Sequence, residues 1–430
     1  MNSSPPIPSA LPTDGQLAWQ KSGFGVFAHF GINTFSGREW SDGTLDPGGF
    51  APTELDADEW AETARDAGAA HLIVTAKHHD GFCLWQTDTT DYGVGAAPWR
   101  SGRGDVVAEL AAACERAGIG LGVYLSPWDR NAPCYADPAA YDRFYRRQLT
   151  ELCTRYGPLA EVWFDGAGSA GRTYDWPGVA AVLERHQPQA MVFNLGRPTI
   201  RWVGNEDGLA ADPCWYTVER TEVSLYDSGE AALPRPMYLP PECDVSIRRH
   251  WFWHPGDEAS LKSREHLLAV WYRSVGLGAG LLLNVPPDRR GRIDAADRSR
   301  LLEFTGEVGR RFADPLAAAV ERAPGKVRLR FAEPVAVDHL ELTEELRGGQ
   351  RVTGHRITAD GREVAAGGTV GVRRVHAFPE VRARVIEAEL TGAAPEVSLR
   401  AFRTGHGSLP ALEEQPPVDE GRADTPPLAR

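Results

Sequence analysis

The chain has 430 residues, a formal net charge of −13 and 24% charged residues. That length can bury more than one core, and the acidic balance argues against nucleic acid or an anionic membrane as partner. No run approaches the roughly 18 apolar residues that a membrane-spanning helix requires. The segment from Met1 to Ala18 is polar and Pro-rich and lacks the apolar stretch of a secretory leader. As given the chain reads as cytoplasmic, or as secreted if a leader has been removed. Six cysteines are scattered without C-x-x-C spacing, which points to buried free thiols rather than disulfides or metal.

Taken in order, Gly25 to Phe30 reads as a first strand. Asp56, with Glu59 three residues on, opens a helix over Ala57 to Ala67 that Gly68 stops. His71 to Ala76 is a continuous apolar run ending in Lys77-His78-His79-Asp80-Gly81-Phe82. Asp105 then opens a second helix that Gly118 closes, and Ile119 to Leu125 forms a strand ending in Ser126-Pro127-Trp128-Asp129-Arg130. A third helix from Pro138 to Tyr156 leads into the strand Glu161-Val162-Trp163-Phe164, which ends in Asp165-Gly166. A fourth, Trp176 to His186, leads into Met191 to Asn194, and a helical segment near Glu258 to Val275 precedes the strand Gly280 to Asn284. Between Ile200 and Trp253 the pattern dissolves into Pro- and Trp-rich loops, so two strands there are not countable.

Apolar strands alternating with helices predict a parallel sheet with right-handed crossovers. About eight such units over roughly 300 residues fit a (β/α)₈-like barrel, with its active site at the C-terminal strand ends. A doubly wound sheet is the alternative; it needs a Gly-rich phosphate turn after an early strand, and none is present. After Pro315 short alternating stretches predict an all-β sandwich. The division is therefore an N-terminal polar segment (1–18), a barrel (19–315), a β-sandwich (316–406) and a disordered tail (407–430) rich in Pro and acidic residues.

The strand ends deliver His29, His78, His79, Tyr124, Asp165, Asn194, Glu206 and Asn284, with Trp40, Trp163, Trp202, Trp251 and Trp253 nearby. Carboxyls, neutral hydrogen-bonding groups and indoles describe a sugar site, because pyranose C–H faces stack on indole while hydroxyls need polar partners. Glycoside hydrolysis needs two carboxyl groups. Asp165, on a rigid strand end, is the nucleophile candidate; Glu206, on a loop, is the acid/base candidate. Adjacent strand histidines point in opposite directions, so His78-His79 is not read as a chelating pair, and neither metal nor cofactor is expected.

His29-Phe30-Gly31, Glu39-Trp40, Ala76 to Phe82, Trp163 to Gly166 and Leu281-Leu282-Leu283-Asn284-Val285 together resemble the signature blocks of the α-L-fucosidases of glycoside hydrolase family 29. The resemblance spans Trp19 to Pro315 and continues in Glu344 to Val352, similar to the family's E-x-x-x-G-Q-R-V segment. It implies a retaining exo-hydrolase on a (β/α)₈-like barrel with a jelly-roll appendage, without metal. Asp165 falls on the nucleophile position; His29, His78, His79 and Tyr124 fall on hydroxyl-binding positions; Glu39, Trp40 and Trp163 line the pocket; Trp253 is expected against the sugar's C6 methyl.

Ser126 to Arg130 and Arg201-Trp202-Val203-Gly204-Asn205-Glu206 resemble the branch that cleaves α-1,3/1,4-linked fucose from branched, Lewis-type glycans, in which the Glu of the G-N-E block is the acid/base. Ala132 and Gly196-Arg197-Pro198-Thr199 depart from that pattern and bear on linkage rather than chemistry. The implied partner is a fucosylated oligosaccharide or glycoconjugate. Relaxed linkage specificity and transfer of fucose to sugars fit the same residues, and a non-catalytic sugar-binding barrel remains the rival from another class.

Overall fold

The structure, a computed structural model, describes residues 10–168, 171–224, 230–393 and 396–414. Strands β1 (Phe24–Ala28), β2 (His71–Lys77), β3 (Gly120–Leu125), β4 (Leu159–Trp163), β5 (Met191–Phe193) and β6 (Arg201–Trp202) are followed by an antiparallel hairpin, β7 (Thr217–Glu222) and β8 (Glu230–Tyr238), and then by β9 (Pro241–Ser246) and β10 (Gly280–Asn284). The eight strands outside the hairpin pair in parallel in the order β5-β4-β3-β2-β1-β10-β9-β6, and a bridge between Phe193 and Ile200 nearly closes the ring. This is the predicted barrel; the doubly wound alternative does not survive that order.

Helices α1 (Asp14–Ser22), α2 (Ile32–Ser36), α3 (Ala57–Asp66), α4 (Val106–Ala117), α5 (Pro138–Arg155), α6 (Trp176–His186), α7 (Arg264–Arg273) and α8 (Ala295–Phe312) complete the barrel domain. Asp56, Asp105 and Asp137 cap their helices through side-chain bonds from the backbone N–H of Glu59, Ala108 and Ala140. Two of the expected crossover helices are absent among the described residues. Gly196-Arg197-Pro198 turns the chain from β5 directly into β6, and the hairpin replaces a helix between β6 and β9. Among the described residues no helix is long and apolar enough to cross a membrane, and all six cysteines are free thiols.

The polar N-terminal segment needs correction. Thr13 and Gln16 form a capping box that starts α1 ahead of the expected boundary at residue 18. Gln16 Nε2 donates to Thr199 O and Tyr238 O, both at 2.7 Å, and Trp19 Nε1 donates to Glu161 Oε2 at 3.1 Å, so α1 covers the barrel floor. Residues 1–9 lie outside those described.

The barrel packs in two layers. Outside, strand residues such as Leu72, Val74, Val123 and Val162 meet the helices. Inside lies a smaller, largely aromatic cluster that includes Phe27, Tyr124, Trp163, Phe193 and Trp202. Lys77, the last residue of β2, is fully buried and reaches outward to Asp129 Oδ2 and Gln148 Oε1, each at 2.9 Å. Asp129 Oδ1 also accepts from Asn131 N and Ala132 N, so this ion pair fixes the loop after β3. Lys77→Met is expected to destabilise the protein by about 3–5 kcal/mol by leaving Asp129 buried without its counter-charge. Asp129→Asn added to it should restore part of that; an unchanged denaturation midpoint in Lys77→Met refutes the assignment.

After α8 the chain forms an antiparallel sheet of β11 (Ala319–Ala323), β12 (Lys326–Glu344), β13 (Val352–Ala359), β14 (Arg362–Gly367), β15 (Arg374–Gly392) and β16 (Val397–Phe402) around its own apolar core. The expected short strands from Val327 to Leu342 are one long strand, broken in register between Arg330 and Val335, where Pro334 cannot donate to the ladder. The domain grips the barrel: Gln350 Oε1 accepts from Tyr216 N while Gln350 Nε2 donates to Cys214 O, and Arg374 pairs bidentately with Asp212. The expected disordered tail begins with residues that fold back on α7, since Glu413 N donates to His266 Nδ1 and Arg273 donates to Pro410 O; residues 415–430 lie outside those described.

Candidate active site

The C-terminal ends of the strands surround a pocket open to solvent, the place where a barrel of this kind holds its ligand. Its walls include His29, Glu39, Trp40, His78, His79, Tyr124, Trp163, Asp165 and Glu206. The sequence scatters these residues over more than 170 positions, and the barrel brings them together. Asp165 follows β4 after the single residue Phe164. Its Oδ2 accepts from Tyr124 Oη at 2.9 Å and its Oδ1 from Ala167 N at 2.8 Å, two donors suited to holding a carboxylate in one orientation. Gly166 is required beside it, because a Cβ there would sit 2.0 Å from the carbonyl oxygen of Val223.

Glu206 enters from the loop after β6. Gly204, at φ 90°, turns that loop. Asn205 braces it, its Oδ1 accepting from Asp207 N and Leu209 N and its Nδ2 donating to Leu209 O. Trp251 Nε1 donates to Glu206 Oε2 at 3.2 Å. Trp251 is in turn held by Glu39, whose carboxylate accepts from Trp251 N at 2.9 Å and Phe252 N at 3.2 Å and lies 3.0 Å from His254 Nε2. Glu39 thus acts on the cavity chiefly by clamping the loop that carries Trp251.

Two of the histidines, His29 and His79, are neutral acceptors. Asn284 Nδ2 donates to Ser246 Oγ and Trp251 O, which turns its Oδ1 toward His29, where it accepts from the backbone N–H and from Nδ1 at 2.9 Å. Burial lowers the His29 pKa to about 3, so the ring carries its proton on Nδ1 and presents Nε2 as a lone pair. His79 is similar: Ser126 Oγ donates to Trp128 O and therefore accepts from His79 Nδ1 at 2.7 Å. Burial holds His79 down to about 4, and its Nε2 lies 3.6 Å from Asp165 Oδ2. The expectation that adjacent histidines diverge is corrected here. β2 ends at Lys77, so His78 and His79 lie beyond the pleat, their ring centroids are 4.2 Å apart and both face the cavity.

Asp165 and Glu206 facing one cavity, with tryptophan walls and neutral imidazole acceptors, form a site for a neutral polyol ring. A family model described as alpha-L-fucosidase matches residues 12–307. The chain belongs to the α-L-fucosidase family, glycoside hydrolase family 29. It is 38% identical over 418 residues to alpha-L-fucosidase 1 of Arabidopsis thaliana, covering 86% of this chain and 82% of that protein. A glycoside hydrolase 29 family member from a rumen bacterium superposes with a TM-score of 0.85 at 34% identity, covering 92% of this chain and 78% of that one. A Ruminococcus gnavus family 29 fucosidase in complex with fucose superposes with a TM-score of 0.81 at 28% identity, over 94% and 97% of the two chains. Membership in a glycoside hydrolase family sets aside the non-catalytic sugar-binding barrel.

Within this family 29 hydrolase one expected pocket residue is misplaced. Trp251 walls the cavity and Trp253 does not; the Trp253 ring lies beneath the Arg289 guanidinium, 5.8 Å from its centroid. The Glu39 clamp turns the loop so that the earlier tryptophan faces inward. Ala132 and Gly196 are not among the cavity walls either. Sequence reasoning missed β9, whose inward side chains Glu242, Asp244 and Ser246 are all polar. Their alternation with Cys243, Val245 and Ile247 is the period-two signal that could have revealed it.

Beneath the cavity, donor atoms of His71, Glu161 and Glu242 lie within 4.8 Å of one another, the one such set among the described residues. Burial pushes both glutamates up and His71 down to about 4, which opposes two negative charges side by side on the floor. Trp19 Nε1 and Trp163 Nε1 donate to them, which makes this group a hydrogen-bonded support for the pocket.

Proposed function

We propose that the protein is a retaining exo-α-L-fucosidase that removes terminal α-1,3/1,4-linked fucose from branched, Lewis-type glycans, with Asp165 as nucleophile and Glu206 as acid/base. The observation that carries this reading is the placement of Asp165 and Glu206 on one cavity, the first on a strand end and the second on a loop. The fucose bound by the structurally similar R. gnavus enzyme supports the choice of sugar.

In the first half-reaction an Asp165 oxygen bonds to the anomeric carbon as the glycosidic C–O bond breaks, and Glu206 delivers its proton to the departing oxygen. In the second, Glu206 takes a proton from water, the hydroxide bonds to the anomeric carbon, and the Asp165 carboxylate leaves. Net configuration is retained after two inversions. Tyr124 and Ala167 N orient the nucleophile, while His29 Nε2 and His79 Nε2 accept from sugar hydroxyls.

Linkage preference rests on the mouth. Trp128 follows β3 and packs 5.6 Å from Trp40 and 5.1 Å from His79, and the Glu206 loop follows β6. A second sugar arm resting on this rim would orient the loop-borne acid, so remote binding energy would appear in kcat as well as KM. A Lewis trisaccharide is therefore expected to exceed 2′-fucosyllactose and a simple aryl fucoside in kcat/KM by about 100-fold or more, the equivalent of about 3 kcal/mol of transition-state binding. Preference for the α-1,2 or aryl substrate overturns the linkage assignment while leaving fucoside hydrolysis in place.

A further inference from the structure

The inward face of β9 carries three polar side chains, and two of them have structural work: Glu242 takes the Trp163 indole at the floor, and Ser246 joins Asn284 near the rim. Asp244 lies between them on the cavity wall, 3% exposed, with Oδ1 accepting from Trp202 Nε1 at 2.7 Å. A sugar hydroxyl both donates and accepts, yet the cavity is rich in acceptors. The indole N–H groups of Trp163, Trp202 and Trp251 all go to carboxyls, and the Tyr124 hydroxyl goes to Asp165. His29 and His79 offer lone pairs. Beyond the single N–H of the neutral His78 ring, the pocket thus needs donors toward the hydroxyl oxygens of its ligand.

Building on the fucosidase reading above, we infer that Asp244 is a third functional carboxyl of this pocket, a protonated acid whose O–H donates to a hydroxyl oxygen of the bound sugar and helps select it. Glu39, Asp165, Glu206 and Asp244 all line this cavity, and four carboxyls there cannot all be charged without mutual repulsion. Burial raises Asp244 to about 8, with Glu242 below it and Asp165 across from β4 adding to the shift. Cys243 stands beside it on β9, Glu39, Glu206, His29, His78 and His79 line the same cavity, and Trp202 and Asn284 on the adjoining strands carry no charge. A carboxylic acid kept neutral at pH 7 to donate a hydrogen bond is an established use of such burial. The sign follows: below pH 8 the donor is present, and above it ionisation removes the donor and adds negative charge beside Asp165.

The test uses wild type, Asp244→Asn, which keeps a donor and an acceptor, and Asp244→Leu, which keeps neither. Fucose affinity, titrated calorimetrically at pH 6.5, should fall about 10- to 100-fold in Asp244→Leu and by no more than about 3-fold in Asp244→Asn. At pH 9.5 wild type should lose affinity while Asp244→Asn does not. Turnover provides a second readout: on an aryl fucoside whose leaving group departs without a proton, kcat/KM of wild type should fall above pH 8, and that fall should vanish in Asp244→Asn. Equal fucose affinity in all three proteins overturns the inference, as does an alkaline fall that persists in Asp244→Asn. The binding arm does not depend on turnover. A protein that binds fucose yet hydrolyses no fucoside would overturn the reaction and leave that arm to decide Asp244.

Discussion

Asp165→Ala is expected to lower kcat by on the order of 10⁴-fold, the scale seen when a nucleophile is removed from a site whose binding groups remain. That corresponds to about 5.5 kcal/mol of transition-state stabilisation. The loss should fall on turnover rather than on binding, because His29, His78, His79 and the tryptophan walls do not depend on the Asp165 side chain for their positions. His29 is set by Asn284 and His79 by Ser126. Truncation to alanine opens a space where the carboxylate stood, with the Tyr124 hydroxyl and the Ala167 N–H still facing it. Azide occupying that space should attack the anomeric carbon of an aryl α-fucoside and release β-fucosyl azide, of inverted configuration. Near wild-type turnover removes Asp165 from the mechanism, and an unchanged fucose affinity separates lost chemistry from lost fold.

Much of this site was legible in the chain because the barrel writes its plan locally. Each aspartate cap, apolar run and closing glycine from Asp56 to Asp165 marks a βα step, and chemistry-bearing residues follow the runs directly. Asp165, just past β4, and Tyr124, near the end of β3, could be placed at the cavity for that reason. The chain was also legible where it went unread, since Thr13-x-x-Gln16 is a capping box in plain sequence and starts α1.

What resisted reading was fixed by distant partners. Trp251 rather than Trp253 faces the sugar cavity because Glu39, more than 200 residues earlier, accepts from the backbone of Trp251 and Phe252. No local pattern encodes that. β9 was hidden for a different reason: the rule for a barrel strand is an apolar inner face, and Glu242, Asp244 and Ser246 invert it. The histidine pair misled because alternation holds only inside a strand, and β2 stops one residue short of His78. In each case the local rule fails where the cavity wall needs a polar group that other elements hold in place.

Glu206→Ala carries the second large effect, and its pattern across substrates distinguishes an acid/base from a merely structural loop residue. A natural glycan leaves as an alkoxide unless protonated, so loss of the acid should cost about 10²–10⁴-fold in kcat/KM. An aryl fucoside with an acidic phenol needs no proton in that step and should retain most of its kcat/KM. Its kcat should still fall, because no base activates water in the second half-reaction, and the fucosyl-Asp165 species should accumulate as a burst of phenol. Azide, which needs no base, should then relieve the block from the face the leaving group vacated and yield α-fucosyl azide, of retained configuration. The two alanine variants are thus expected to give azides of opposite configuration from one substrate, since in one the carboxylate still attacks first and in the other azide takes its place. Trp251 provides a graded control: it positions Glu206 through its indole N–H at 3.2 Å, so Trp251→Phe should reproduce the Glu206→Ala pattern in weaker form, with the larger loss on the glycan. Equal losses on glycan and aryl fucoside in Glu206→Ala, with no azide rescue, would assign Glu206 to the architecture of the loop and return the search for the acid to the remaining cavity carboxyls.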